Sequence, residues 1–155
     1  MQIRKATSDD AEHIVRIHKN AYDISYRGYL PDDYIDKRVA DNTRVARTAE
    51  YVKDHEFWLA VIDDYPVGFA TVIYPEPDTF EIQSLYVDPK YQKQGAGSAL
   101  VTHLFNTKNL KRCILWTMKF GPSLGFYKKM GFIATGNEKP WAVADIPIME
   151  MEKFL

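Results

Sequence analysis

Three β-rich runs follow one another in the middle of the chain: FWLAVID (57–63), VGFATVIY (67–74) and TFEIQSLYV (79–87). Asp64-Tyr65-Pro66 separates the first two and PEPD (75–78) the last two. Connections this short and rich in turn formers predict hairpins, and so an antiparallel meander. The third run adds a sharper constraint. Phe80 and Ile82 set one alternation, whereas Leu85 and Val87 fall on the other. A regular strand cannot put all four on one face, which predicts a β-bulge near Gln83-Ser84.

Residues 2–6 read as a short strand, and Thr7-Ser8-Asp9-Asp10 supplies cap oxygens and first-turn negative charge for a helix. Ala11, Ile14, Val15, His18, Ala21 and Tyr22 give that helix one inward face. Pro31 with Asp32 and Asp33 opens a second helix, and 43–54 continues as a third. Beyond the meander, Gly97, Leu100, Val101, Leu104 and Phe105 predict a helix over about 95–107. CILWTM (113–118) is a strand, and SLGFYKKMG (123–131) a short helix stopped by Gly131. Strands near 131–136 and 145–154 complete the chain. This order predicts an α/β layer fold with a mixed, largely antiparallel sheet flanked by helices, a single domain over 1–155.

The formal net charge of −1 lacks the basic excess that nucleic acid or an anionic membrane would require. One cysteine, Cys113, allows no internal disulfide and fits a reducing compartment; it reads as a small core hydrophobe. Without a leader-like or membrane-length apolar run, a cytoplasmic location is expected.

Chemistry concentrates in Val87-Asp88-Pro89-Lys90-Tyr91-Gln92-Lys93-Gln94-Gly95-Ala96-Gly97-Ser98. A strand ends, a loop with two glycines follows, and an amphipathic helix begins. The first amides of a helix lack internal partners and carry its positive dipole end, so a phosphate can settle on them where no Cβ intervenes. The glycines by themselves equally allow a simple turn. A P-loop is excluded by the missing Gly-Lys-[Ser/Thr], and a dinucleotide fingerprint by Leu100 at its third glycine.

Gln92-x-x-Gly95-x-Gly97 resembles the [Arg/Gln]-x-x-Gly-x-[Gly/Ala] signature of the GNAT acetyltransferases, here after a strand ending LYVDP. Phe126-Tyr127-Lys128-Lys129-Met130-Gly131-Phe132, about thirty residues on, is similar to the family's second motif. The first helix, the YRGYLP turn and GFATV also fall in family order. The resemblance implies an enzyme that moves acetyl from acetyl-CoA to a primary amine by direct transfer, without a metal. It implies pyrophosphate on the amides of Gln92, Lys93, Gln94, Gly95, Ala96, Gly97 and Ser98. Pantetheine would lie as a pseudo-strand along Leu85, Tyr86 and Val87, where the bulge splays this strand from 113–118. It further implies Tyr127 as the acid that protonates the leaving thiolate, an N–H near Leu85 as oxyanion donor, and Glu81, eleven positions before Gln92, as general base.

One position departs from the pattern. Phe120 stands seven residues before Tyr127, where members carry a coenzyme-binding asparagine. This departure is the sequence feature favouring a second reading, a non-catalytic coenzyme A-binding sensor or interaction module. The acceptor, small molecule or peptide, is left open, as is a homodimer through the C-terminal strands. His18 reads as a core histidine near the acceptor side. His13, His55 and His103 lack partners at metal-ligand spacing. Tyr22, Tyr26 and Tyr29 are candidates for an acceptor pocket.

Overall fold

The computed structural model describes residues 1–143 and 145–155. Its strands are β1 (Gln2–Lys5), β2 (Glu56–Ile62), β3 (Tyr65–Glu76), β4 (Thr79–Val87), β5 (Arg112–Met118), β6 (Ile133–Trp141) and β7 (Ile146–Phe154). They form one sheet in the order β1-β2-β3-β4-β5-β7-β6. Every neighbouring pair is antiparallel except β4 and β5. The helices are α1 (Ala11–Asn20), α2 (Asp32–Ala40), α3 (Arg44–Asp54), α4 (Ala96–Thr107) and α5 (Leu124–Lys129). Helix α1 runs on into a wider π turn over Ala21–Ser25.

The two faces of the sheet have separate cores. Leu100, Val101 and Leu104 of α4 are fully buried with Phe80, Ile82 and Leu115 on one face. Each such leucine contributes about 1.5–3 kcal/mol by leaving water. Ile14 and Ile17 of α1 and Val52 of α3 pack on Phe57, Leu59, Val61 and Phe69 on the other. A third cluster, with Tyr22, Leu30, Ile35, Met118 and Ile148, ties the α1–α2 region to β5 and β7.

The β3–β4 register shifts where the alternation of apolar residues slips. Thr71 pairs with Ser84 and Val72 with Ile82, so Gln83 is the extra residue. Leu85 and Val87 consequently pack against the same core as Phe80 and Ile82. On its other edge β4 pairs with β5 only at Thr79–Arg112, Phe80–Cys113 and Glu81–Ile114. Past Glu81 the two strands part.

Three boundaries differ from the sequence expectation. The β2–β3 turn is Asp63-Asp64, since Ile62 pairs with Tyr65 and Pro66 already sits in β3. Both aspartates take positive φ, 48° and 60°, as a tight two-residue hairpin turn demands and as Asp tolerates. Strand β6 starts at Ile133 and runs to Trp141, well past 136, because an irregularity between Ala134 and Glu138 lets pairing resume with Met149. Helix α5 is shorter than 123–131, with Ser123 as its cap.

Asp88, 1% exposed, fixes the end of β4. Its carboxylate accepts from Arg16 Nη1 at 2.6 Å, Asn20 Nδ2 at 3.0 Å and the Lys90 amide at 3.1 Å. Arg16 Nη2 also donates to the Pro66 carbonyl at 2.6 Å. A buried carboxylate is stable only with such partners, and here they bind α1 to the strand end.

His18 lies on the inward face of α1, tilted against Tyr22 and edge-on to Tyr86, with Arg44 Nη2 2.5 Å from its Nδ1. Burial, reinforced by the cations of Arg44 and Arg38, pushes its pKa down to about 2. The unfolded chain takes up this proton near pH 6.5, the folded one not until about 2. Stability is therefore complete above about pH 6.5 and is lost progressively as pH falls toward 2, by about 2 kcal/mol at pH 5. Thermal melts should show the wild-type Tm falling more steeply between pH 7 and pH 5 than that of His18→Gln, which keeps an acceptor and cannot titrate. Equal slopes would contradict the buried neutral imidazole.

Candidate active site

The parting of β4 and β5 opens a cleft of about 710 Å³, and most of the residues expected to hold the coenzyme line it. Leu85, Tyr86 and Val87 form one wall, while Gln92, Lys93, Gly95, Ala96, Gly97 and Ser98 form the far end. The amides of Ala96, Gly97 and Ser98 belong to the first turn of α4 and have no carbonyl partner within the helix. The dipole of a twelve-residue helix thus ends in the cleft.

The two glycines serve different ends. Gly95 caps α4 with φ 90°, and a Cβ there would meet nothing within 4 Å, which leaves room for an anion. Gly97 has ordinary torsions, but a Cβ would lie 3.3 Å from Phe126 Cζ and 3.7 Å from Val87 Cγ2. It lets α4 approach α5 closely. Lys93 adopts φ 61° in the same loop. Gln94 does not line the cleft; its side chain donates to the Lys90 carbonyl at 3.2 Å. Gln92 donates to Ser25 Oγ at 3.2 Å and to the Val87 carbonyl at 3.3 Å, tying the loop to the turn after α1.

Tyr127 is 8% exposed, edge-on to Phe126 and Phe132, and lines the cleft opposite Leu85 and Tyr86. Burial pushes its phenol well above the ordinary value, with Tyr26 and Cys113 adding to the effect. It is a neutral proton donor throughout the physiological range. Cys113 is fully buried, and loss of hydration raises its thiol to about 12, leaving it unreactive.

Glu81 is placed differently. It lies in the paired segment of β4, before the strands part, and does not line the cleft. Burial raises its carboxyl above the usual range, opposed by Lys139 and assisted by Glu150. Phe120 is 76% exposed and also lies outside the cleft, whose corresponding wall is Pro122 and Ser123.

Sequence reasoning missed Ser123, Pro122 and Tyr91 in the cleft. Tyr26 and Tyr29 line it too, whereas Tyr22 is core. A smaller cavity of about 170 Å³ continues from Tyr26, Leu85, Ser123 and Tyr127 past Gln83 and Ser84 to Trp116 and Trp141. On the α1–α3 face a third, of about 410 Å³, also reaches Gln83 and Ser84 and is lined by His18, Arg38 and Arg44. The two smaller spaces thus share the bulged residues of β4, and the large cleft begins beside them at Leu85. Among the described residues no group of three or more His, Cys, Asp or Glu could hold a metal ion, and no helix is long and apolar enough to cross a membrane.

Residues 53–134 match the family described as acetyltransferase (GNAT) domain. A peptidyl-lysine N-acetyltransferase, YjaB, of Salmonella typhimurium is 27% identical over 148 residues, which cover 90% of this chain and 88% of the relative. A probable N-acetyltransferase of Mycobacterium tuberculosis is 25% identical, covering 91% of this chain and 84% of its own. Among solved structures, the PaiA N-acetyltransferase of Thermoplasma acidophilum in complex with coenzyme A superposes with a TM-score of 0.82 at 20% identity, over 99% of this chain and 98% of that one. Apo YjaB of Escherichia coli gives 0.73 at 22% identity, over 97% and 95%. These structural likenesses concern the fold; the sequence match carries the assignment, and by it the chain belongs to the GNAT acetyltransferase family.

Proposed function

We propose that residues 1–155 act as one catalytic domain that transfers acetyl from acetyl-CoA directly to a primary amine, with Tyr127 as the acid. The single observation carrying this reading is a neutral, buried phenol across a cleft from an unpaired strand edge, with a helix N-terminus at the cleft's end. Acetyl-CoA, when bound, supplies a thioester already activated toward an amine. The amides of residues 95–98 hold its pyrophosphate, and Leu85–Val87 offer the main-chain groups that β5 leaves free. A main-chain N–H near Leu85 stabilises the oxyanion. As the new N–C bond forms and the C–S bond breaks, Tyr127 gives its proton to the departing sulfur and regains one from solvent. The amine loses its own proton toward Glu81. Because Glu81 sits outside the cleft, that transfer runs through water. Phe120 is exposed and lies outside the cleft, so the missing asparagine removes a coenzyme contact without blocking the site, and the enzymatic reading is preferred to a coenzyme sensor.

Tyr127→Phe keeps the ring and removes the proton. Steady-state turnover should fall about 10²–10⁴-fold, while the acetyl-CoA Kd from titration calorimetry stays within a few-fold. Since burial raises the phenol, wild-type turnover should show no alkaline limb from this group up to about pH 10. Unchanged turnover in the variant would end the assignment.

Ser98→Asp places negative charge in the first turn of α4, where the helix dipole welcomes it. The apo Tm should hold or rise slightly, yet the Tm increase produced by acetyl-CoA should disappear. A folded variant that keeps the full increase would remove the pyrophosphate from this loop.

Glu81→Gln should abolish the acidic limb of the pH–rate profile, which in the wild type lies above the ordinary carboxylate range because burial raises this group. Retention of that limb would transfer the base role to another group.

A further inference from the structure

The cavity on the α1–α3 face carries positive charge that the protein itself does not neutralise. Three arginines line it, Arg38 from α2 and Arg44 and Arg47 from α3, against one carboxylate, Asp41. Asp41 is already engaged: it pairs with Arg47 at 2.5 Å and accepts from the Thr43 amide and hydroxyl at 2.9 and 2.7 Å. No carboxylate is bridged to Arg38 or Arg44 among the described residues.

Both guanidinium groups also keep buried N–H donors without a partner, Nε of Arg38 and Nη1 of Arg44. Thr71, on the cavity wall, has a buried hydroxyl in the same condition. Three orphaned polar atoms in one cavity are costly, since a buried donor without a partner forfeits the hydrogen bonds it made to water. Arg38 is held with its guanidinium carbon 5.0 Å from the Tyr22 ring centre and 5.6 Å from that of Tyr34, and Arg44 by His18. The two side chains are thus fixed in place rather than dangling. Arg44 is made less basic by burial and by the neighbouring Arg38 cation. His18, the other basic group on the wall, is kept neutral.

The position of this cavity gives the charge a use. It abuts Gln83 and Ser84, the bulged residues that also line the passage to Tyr127. A molecule whose anion rests at the arginines would lie against the same two residues that line the passage to Tyr127. We propose that the acetyl acceptor is a small amine bearing a carboxylate or phosphate, with that anion bound between Arg38 and Arg44. The proposal rests on the acetyltransferase reading above and specifies its second substrate. Arginine presents a planar fork matched to both anions, and an acceptor lacking the anion would leave the donors unpaired.

Two measurements test it, with coenzyme A saturating so that the 92–98 loop is occupied. First, malonate and inorganic phosphate at constant ionic strength should raise the wild-type Tm, and Arg38→Gln and Arg44→Gln should each reduce that rise. Arg44→Lys, which keeps the charge, should retain part of it. Second, thiol release with free amino acids and phosphorylated amines, against their methyl esters or dephosphorylated forms, should favour the anionic member of each pair. The Gln variants should raise KM for that member about 10–100-fold, the range of a lost hydrogen bond to a charged group, with KM for acetyl-CoA unchanged. The carboxylate and phosphate series separate the two anion sources. Equal use of charged and uncharged partners, a lysine peptide without acidic groups as the better substrate, or the absence of any anion-dependent Tm rise would overturn the proposal. Anion binding lost in the Gln variants with no thiol release from any amine would instead uphold the anion site and overturn the acetyltransferase reading.

Discussion

Strand β4 has a full partner on only one side. Its ladder to β3 runs the length of the strand, whereas its ladder to β5 stops after three residues. Main-chain groups on an abandoned strand edge must find water or a ligand, because leaving them buried and unpaired is costly. The bulge at Gln83 lies two positions past Glu81, the last residue paired with β5, and bends β4 away there. From that one divergence follow the cleft along Leu85–Val87, the passage beside Tyr127, and the access of the arginine-lined cavity to the same segment. A parallel pair that stayed zipped would use the main-chain groups of Leu85–Val87 in the ladder and close the passage beside Tyr127.

Electrostatics then assigns each opening its own preference. At the coenzyme end, unpartnered amides at the start of a helix favour anionic phosphate without any buried cation being required. In the middle, low polarity around Tyr127 holds a proton on the phenol. On the α1–α3 face, burial, reinforced by the cations of Arg44 and Arg38, keeps His18 neutral, so this histidine serves as an acceptor of a hydrogen bond and not as a charge. These preferences come from placement rather than from unusual residues.

What was legible in the sequence was what local pattern encodes. A phase slip among Phe80, Ile82, Leu85 and Val87 is a one-dimensional trace of a bulge, and the helical spacing after Gly97 is a trace of α4. Turn placement was harder. Tyr65 and Pro66 carry turn-like chemistry, yet Asp63 and Asp64 tolerate left-handed torsions, and the register of the whole hairpin decided between them. The resemblance to a family pointed to the 92–98 loop and Tyr127, most of which line one cleft, though it could not tell that Gly95 answers to torsion and Gly97 to the ring of Phe126. Arg38 and Arg44 left no trace at all. They lie on different helices among other charged residues, and only tertiary packing brings both to one cavity.

Helix α1 borders both the arginine cavity and the loop that closes the large cleft. Ile14 and His18 line the arginine cavity, while Arg16 and Asn20, on another side of the helix, clasp Asp88 at the root of the coenzyme loop. The helix is in effect a strut between two rooms, and shifting it to widen one displaces the floor of the other. Helices α2 and α3 carry no such double duty, since neither contributes a residue to the coenzyme cleft. Side chains of α2 and α3 can therefore be exchanged without changing any residue that lines the large cleft.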